Sequence, residues 1–187
     1  GNTARLTMGL APVPLGRMKR DIRVIQALLR GEEVNHDCEG ESHLVKLLHP
    51  HDGFINIDHP IPLTLSAFGE KTLAFCGAEC DAHLTWHPTP ESLRANRAII
   101  EQAARAAGRD PANIPSKAIF PLAVLRPGET AASQRVLDSL GPFITNLLHV
   151  MCEWDGNLLR SSPTIAQFVE RYRAYEATLP RERRHLI

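Results

Sequence analysis

The chain has no excess of charge of either sign: 21 Lys and Arg face 21 Asp and Glu, and the formal net charge is zero. The electrostatic footprint of a nucleic-acid binder, or of a protein that rides an anionic membrane surface, is therefore missing. No apolar run approaches the roughly 20 residues of a membrane span, and there is no basic-then-apolar leader of secretory type, so a cytoplasmic setting is expected. Cysteine is scarce and unpatterned. Of Cys38, Cys76, Cys80 and Cys152, only Cys76 and Cys80 are close, at a helical i,i+4 interval rather than the Cys-x-x-Cys of a zinc knuckle. Free thiols, mostly packed as small hydrophobes, are expected. Gly-x-Ser-x-Gly elbows, phosphate-binding P-loops and Ser or Cys nucleophile signatures are also absent, which removes hydrolase and kinase chemistry.

What is present reads as an ordinary globular domain: 187 residues, 43% hydrophobic and 22% charged, enough to bury a core. Strands and helices take turns along it. Leu15, Met18, Ile22, Ile25, Leu28 and Leu29 recur at threes and fours, and Gly31 supplies a C-terminal stop, which predicts an amphipathic helix. Residues 34–60 ("VNHDCEGESHLVKLLHPHDGFINIDHP") are too long for a simple connection and read as an excursion containing a hairpin, with "HLVKLL" as one short strand. "IPLTLSAF" follows as a buried strand, Glu70 to Glu79 as a helix, and "AHLTWH" as a second strand. Thr89 N-caps the next helix, with Pro90 first in it and Glu91 in its first turn, and Gly108 stops it. "SKAIFPLAVL" reads as a third strand, "ETAASQRVLDSLGPFITNLLHVMCEW" as one or two helices around Gly141-Pro142, and residues 162–179 as a final helix with Ile165, Phe168, Val169 and Tyr172 on one face. Alternation of this kind predicts an α/β fold with a parallel sheet and helices packed outside it.

Parallel α/β folds bind ligands at the carboxyl ends of their strands. The corner Gly69-Glu70-Lys71-Thr72 lies at such an end. Glycine admits a ligand close to the backbone, the first helical amides point outward, Lys71 adds a positive charge and Thr72 a hydroxyl. These are the parts of a phosphate cradle, and a purely structural turn uses the same residues. His43, His49, His51 and His59 with Asp52 and Asp58 give the excursion a metal-rich look, but no pair has the spacing of a helix-borne or knuckle site, and no metal is expected. The closing "RERRHLI" reads as a solvated basic tail.

Four blocks together, "GNTA", "PLGRMKRDIRVIQALLRGEEV", "IPLTLSAFGEKTLAFCGAECDAHLTW" and "TPESLRANRAIIEQAARAAGRDPANI", resemble the luciferase-like monooxygenases. The branch they resemble most is that of methylenetetrahydromethanopterin reductase. The resemblance covers nearly the whole chain and rests on the order of the blocks, since no single motif is diagnostic. It implies a (β/α)₈ barrel of TIM type, FMN or the 8-hydroxy-5-deazaflavin coenzyme as cofactor, and hydride transfer or flavin-dependent oxygenation of a small organic substrate.

Carried over position by position, the resemblance implies that Gly69, Glu70, Lys71 and Thr72, with Ser66 at the end of the strand before them, hold the cofactor phosphate. The loop after the family's fourth strand, usually Gly-Asp-Ser/Thr-Ala, corresponds to Gly1-Asn2-Thr3-Ala4 and would touch the same phosphate. Asn2 stands where the acid is usual, so no carboxylate is available there to handle a proton, and no catalytic acid or base is assigned. Trp86 and His87 end the next strand and would line the flavin or substrate pocket, although Trp86 is equally a barrel-core residue. His149 and Glu153 match a family pattern in a late helix, at the i,i+4 spacing of a structural His-Glu hydrogen bond.

A (β/α)₈ barrel takes typically about 250 residues, and Gly1 falls where the family has completed its fourth strand. Only three principal barrel strands can be placed, so the expected domain, residues 1–187, is the C-terminal half or so of a barrel. A fragment, a short relative and a half-barrel that needs a partner all fit. An open parallel edge favours pairing with another copy or with a missing barrel half. Two functions follow from this reading. One is a flavin- or deazaflavin-dependent oxidoreductase in which the protein grips and orients the cofactor; the other is a non-catalytic relative kept as a ligand-binding or assembly module.

Overall fold

A computed structural model of the chain describes residues 4–5, 8–38, 40–49, 52–86, 89–153 and 163–180, with the side chains of 145–153 and 163–165 outside the description. The chain divides into two compact units, Pro14–Phe120 and Gly1–Val13 with Pro121–Ile187.

In the unit Pro14–Phe120, helix α1 (Leu15–Leu29) buries Ile22 and Ala27. It stops where expected: Gly31 takes a left-handed φ of 78°, its amide donates to the Leu28 carbonyl at 2.9 Å, and the Glu32 amide donates to the Ala27 carbonyl at 3.0 Å. These bonds satisfy carbonyls that the helix end would otherwise orphan. The expected hairpin follows as β1 (Val34–Cys38) and β2 (Glu41–Val45), antiparallel, with Val34 opposite Val45 and Cys38 opposite Glu41. The second strand starts earlier than "HLVKLL" and ends at Val45; the next residue, Lys46, instead reaches back to Glu33 at 3.0 Å.

Three strands then alternate with two helices: β3 (Thr64–Ser66), α2 (Glu70–Glu79), β4 (Ala82–Trp86), α3 (Pro90–Ala106), a 3₁₀ turn at Pro111–Asn113, and β5 (Ser116–Ile119). They form a parallel sheet in the order β3-β4-β5, with Leu65 opposite His83 and His83 opposite Ser116. Among the described residues this sheet has three strands and does not close on itself. Both outer strands are shorter than their apolar runs. Pro62 has no amide to give to a ladder and β3 begins after it; Pro121 sets the same limit beyond β5. The expectation of a buried β3 is also corrected: Thr64 and Ser66 are exposed and only Leu65 between them is half-buried. Successive strand residues point to opposite faces. Leu63, Leu65 and Ala67 pack against α1, α2 and α3 with Ile22, Leu73, Phe75, Cys76, Ile100 and Ala104, so Thr64, Ser66, Leu84 and Trp86 lie on the face these helices leave uncovered.

The helix layer is held by close approach and by arginine. Gly77 of α2 sits against α3, where an added Cβ would overlap the Ile100 carbonyl oxygen and come within 3.1 Å of the Ala103 Cβ. Arg109 donates to the Gly77 carbonyl at 2.9 Å. Arg97 donates to the carbonyls of Ile114 and Pro111 (2.6 Å) and to Glu101 (2.8 Å), tying α3 to the turn that leads into β5. Helix α3 has the expected N-cap: Thr89 Oγ1 accepts from the Ser92 amide at 3.1 Å.

In the unit Gly1–Val13 with Pro121–Ile187, Glu129 anchors the turn before α4 (Gln134–Glu153), accepting from Arg135 Nε at 2.7 Å and from the Arg126 amide at 2.8 Å. One helix, not two, runs through Pro142, at the loss of the bond that residue 142 would give to the Asp138 carbonyl. Helix α5 (Pro163–Thr178) buries Val169 of its expected apolar face and half-buries Tyr172, while Phe168 is largely open; the side chain of Ile165 lies outside the described residues. No helix among the described residues is long and apolar enough to cross a membrane.

Candidate functional site

Parallel pairing brings the carboxyl ends of β3, β4 and β5 to one edge of the sheet, and the Gly69–Thr72 corner opens there. Gly69 is the N-cap of α2 in ordinary extended backbone (φ −86°, ψ 149°), and no side chain caps the helix. Any residue could adopt that backbone. A Cβ at Gly69 would meet nothing within 4 Å, so neither conformation nor internal packing requires glycine, and the space beside this backbone is open.

The amides of the corner divide. Those of Thr72 and Leu73 both donate to the Gly69 carbonyl at 2.9 Å. Those of Glu70 and Lys71, first in the helix, have no intrahelical acceptor. Thr72 therefore offers its hydroxyl rather than its amide, and two backbone donors remain. Lys71 is exposed and has no ion-pair partner among the described residues. The helix N-terminus favours an anion, and Glu70, itself anionic and exposed in the first turn, works against a second one.

Ser66 and Trp86 share the uncovered face and the same edge. Ser66 is exposed and opposite Leu84; Trp86, half-buried, is two residues further along β4 and opposite Ile119. The structure thus brings together Ser66, Gly69, Glu70, Lys71, Thr72 and Trp86. Gly1, Asn2, Thr3 and His87 lie outside the described residues, as do the side chains of His149 and Glu153, whose backbone is helical within α4.

A cleft of about 550 Å³ lies along α3, lined by Leu93, Arg94, Arg97, Pro115 and Ser116. None of the corner's residues line it, and β5 contributes to it only through its first residue, Ser116. Among the described residues no group of three His, Cys, Asp or Glu converges on a position for a metal ion. Cys76 and Cys80 are free and buried while Cys38 is free and exposed. A hydrogen bond shared with Cys76, reinforced by burial, holds the Cys80 thiol above its ordinary range.

One polar residue near the corner escaped the motif reading. His83, on the central strand, is fully buried. Its Nε2 lies 2.9 Å from the Ala67 carbonyl oxygen and its Nδ1 3.3 Å from Ser116 Oγ. The signal in the sequence was a histidine two places into an otherwise apolar-and-threonine strand, AHLTW.

The sequence profile of the luciferase-like monooxygenases matches residues 9–185. The chain belongs to that family. Luciferase-like monooxygenases are TIM-barrel proteins and commonly use flavin-type cofactors, which points to flavin-dependent oxidoreductase activity. The α/β order and parallel sheet of Pro14–Phe120 agree with that architecture. No curated protein matches the chain.

Proposed function

We propose that this luciferase-like chain serves a flavin- or deazaflavin-dependent oxidoreductase, of the branch resembling methylenetetrahydromethanopterin reductase, acting by hydride transfer or oxygenation on a small organic substrate. The observation that carries the reading is the uncapped corner at Gly69, with open space beside it, at the carboxyl edge of a parallel sheet. The donor set fits a phosphate. The Glu70 and Lys71 amides supply directed hydrogen bonds, Lys71 Nζ supplies a charge, and the Thr72 and Ser66 hydroxyls supply rotatable donors. Trp86 offers an aromatic wall on the same face, and His87 follows it in sequence. When bound, the cofactor supplies the redox chemistry; the chain's residues fix its phosphate and limit where its ring can lie. FMN and the deazaflavin coenzyme both present a phosphate that such a corner would take.

A barrel of this family has eight strands. We infer that strands from a second copy, or from further βα units, complete the pocket around the three described here. A non-catalytic binding or assembly module is the second reading, favoured by the small open sheet.

Titration of the purified protein with FMN and with the deazaflavin coenzyme, followed by cofactor fluorescence, tests the proposal. Lys71→Ala removes a charge-assisted contact and is expected to weaken binding about tenfold or more, with Thr72→Ala a smaller loss. Failure of both cofactors to bind, with further βα units also supplied, would overturn the oxidoreductase reading and leave the module.

A further inference from the structure

We propose that His83 is a positioning residue for the Gly69–Thr72 corner: its imidazole fixes the peptide from which the chain turns toward the phosphate. The inference rests on the flavin-phosphate reading given above. Ala67 is the first residue after β3, and only Phe68 separates it from the N-cap Gly69. The amide of Ala67 makes a long ladder contact to the Leu84 carbonyl, 3.4 Å, so the ladder holds this residue loosely at the exit of the strand. Its carbonyl is held instead by the His83 ring at 2.9 Å. Because a carbonyl only accepts, Nε2 must carry the proton, which in the neutral ring leaves Nδ1 to accept from the Ser116 hydroxyl.

One side chain on the middle strand thus spans from the exit of β3 to the entrance of β5, and both of its nitrogens are committed. An aliphatic side chain would fill this fully buried position with less desolvation cost. What imidazole adds is two opposed polar atoms in a rigid ring, which set the plane of the Ala67–Phe68 peptide. Rotation of that plane would carry Phe68 and Gly69 with it and re-aim the Glu70 and Lys71 amides. Removing the ring would also leave the carbonyl of Ala67, a residue only 1% exposed, without its donor.

A clamp that merely stabilised the sheet would affect all ligands of the pocket alike. A device that aims the corner affects only those with a phosphate. The experiment therefore compares FMN with riboflavin, the same ring system without phosphate, on wild-type protein, His83→Leu, His83→Gln and Ser116→Ala, each checked for native circular dichroism. If the wild type takes the deazaflavin coenzyme instead, its phosphate-free deazariboflavin core replaces riboflavin. The expected result is an FMN dissociation constant about tenfold weaker in His83→Leu with riboflavin affinity unchanged. Glutamine, which keeps an N–H donor, should restore most of the loss, and Ser116→Ala, which frees one side of the ring, should show a smaller loss confined to the phosphate ligand. If His83→Leu fails to fold, the Gln and Ser116→Ala comparison decides. Unchanged FMN binding, or equal losses for FMN and riboflavin, would overturn the positioning role and leave the flavin reading standing. Wild-type protein that binds none of these ligands, with further βα units also supplied, would remove both.

Discussion

At Gly77 one hydrogen atom decides whether two helices can meet. Its Cα lies against the backbone of Ile100 so closely that a methyl group would overlap the carbonyl oxygen, and backbone cannot swing aside as a side-chain tip can. Gly77→Ala should destabilise the protein by about 1–3 kcal/mol through overpacking, read as a lower urea midpoint with unchanged slope. The buried cysteines beside it give a chemical test of the same packing. Native protein treated with iodoacetamide should be modified at Cys38 and spared at Cys76 and Cys80, whereas unfolded protein should react at every cysteine, Cys76 and Cys80 included. Glu129 carries a pH signature. Hydrogen bonds from Arg135, and then from the Arg126 amide, lower its carboxyl from the ordinary 4.5 to about 2. A depressed carboxylate contributes stability that is complete above the unfolded value and fades as pH falls through the folded one. The melting-temperature gap between wild type and Glu129→Gln should therefore hold above about pH 5, narrow below it and close near pH 2. Residues of this kind were the least legible in the sequence. Gly77, His83 and Arg97 act on partners brought near by the fold, and only His83 leaves a local trace, as the one histidine in an otherwise apolar-and-threonine strand.

Elements whose ends are written in local chemistry were the most legible. Helix α3 shows its start in Thr89-Pro90-Glu91 and its stop in Gly108, and the structure has both. Thr89→Ala, which deprives the Ser92 amide of its acceptor, should cost about 1 kcal/mol in denaturant melts, and Thr89→Asp should restore it. Helix α1 was legible for the same reason, through Gly31. Strands were less so. The apolar runs 61–68 and 116–125 are each longer than the strands they contain, because a strand extends only as far as a neighbour accepts its amides and carbonyls, and Pro62 and Pro121 have no amide to offer. The Gly69–Thr72 corner falls between these cases. Its glycine, lysine and threonine were visible as a motif, while the division between the Glu70 and Lys71 amides, without an intrahelical acceptor, and the Thr72 amide, given to the Gly69 carbonyl, required the backbone itself.

Across the whole molecule, the described sheet leaves the outer edges of β3 and β5 without a neighbouring strand, and Leu122 and Val124 are 83% and 85% exposed. Unpaired edges and exposed apolar side chains both promote association. Light scattering on purified protein should return a native mass above the chain's 20.7 kDa, with exposed charge at Leu122→Lys and Val124→Lys shifting it downward; a monomer at every concentration would count against a completing partner.

The order β3-β4-β5 also has a consequence for how the chain comes into being. Every strand pairs with the one synthesised just before it: Ala82 returns to Thr64, then Ser116 to His83. Each pairing closes over a single helix, so the sheet needs no residue that has yet to leave the ribosome and can grow strand by strand as the polypeptide emerges. The corner at Gly69 is framed early in that sequence, and the histidine that aims it gains its second anchor later, when Ser116 arrives with the last of the three strands.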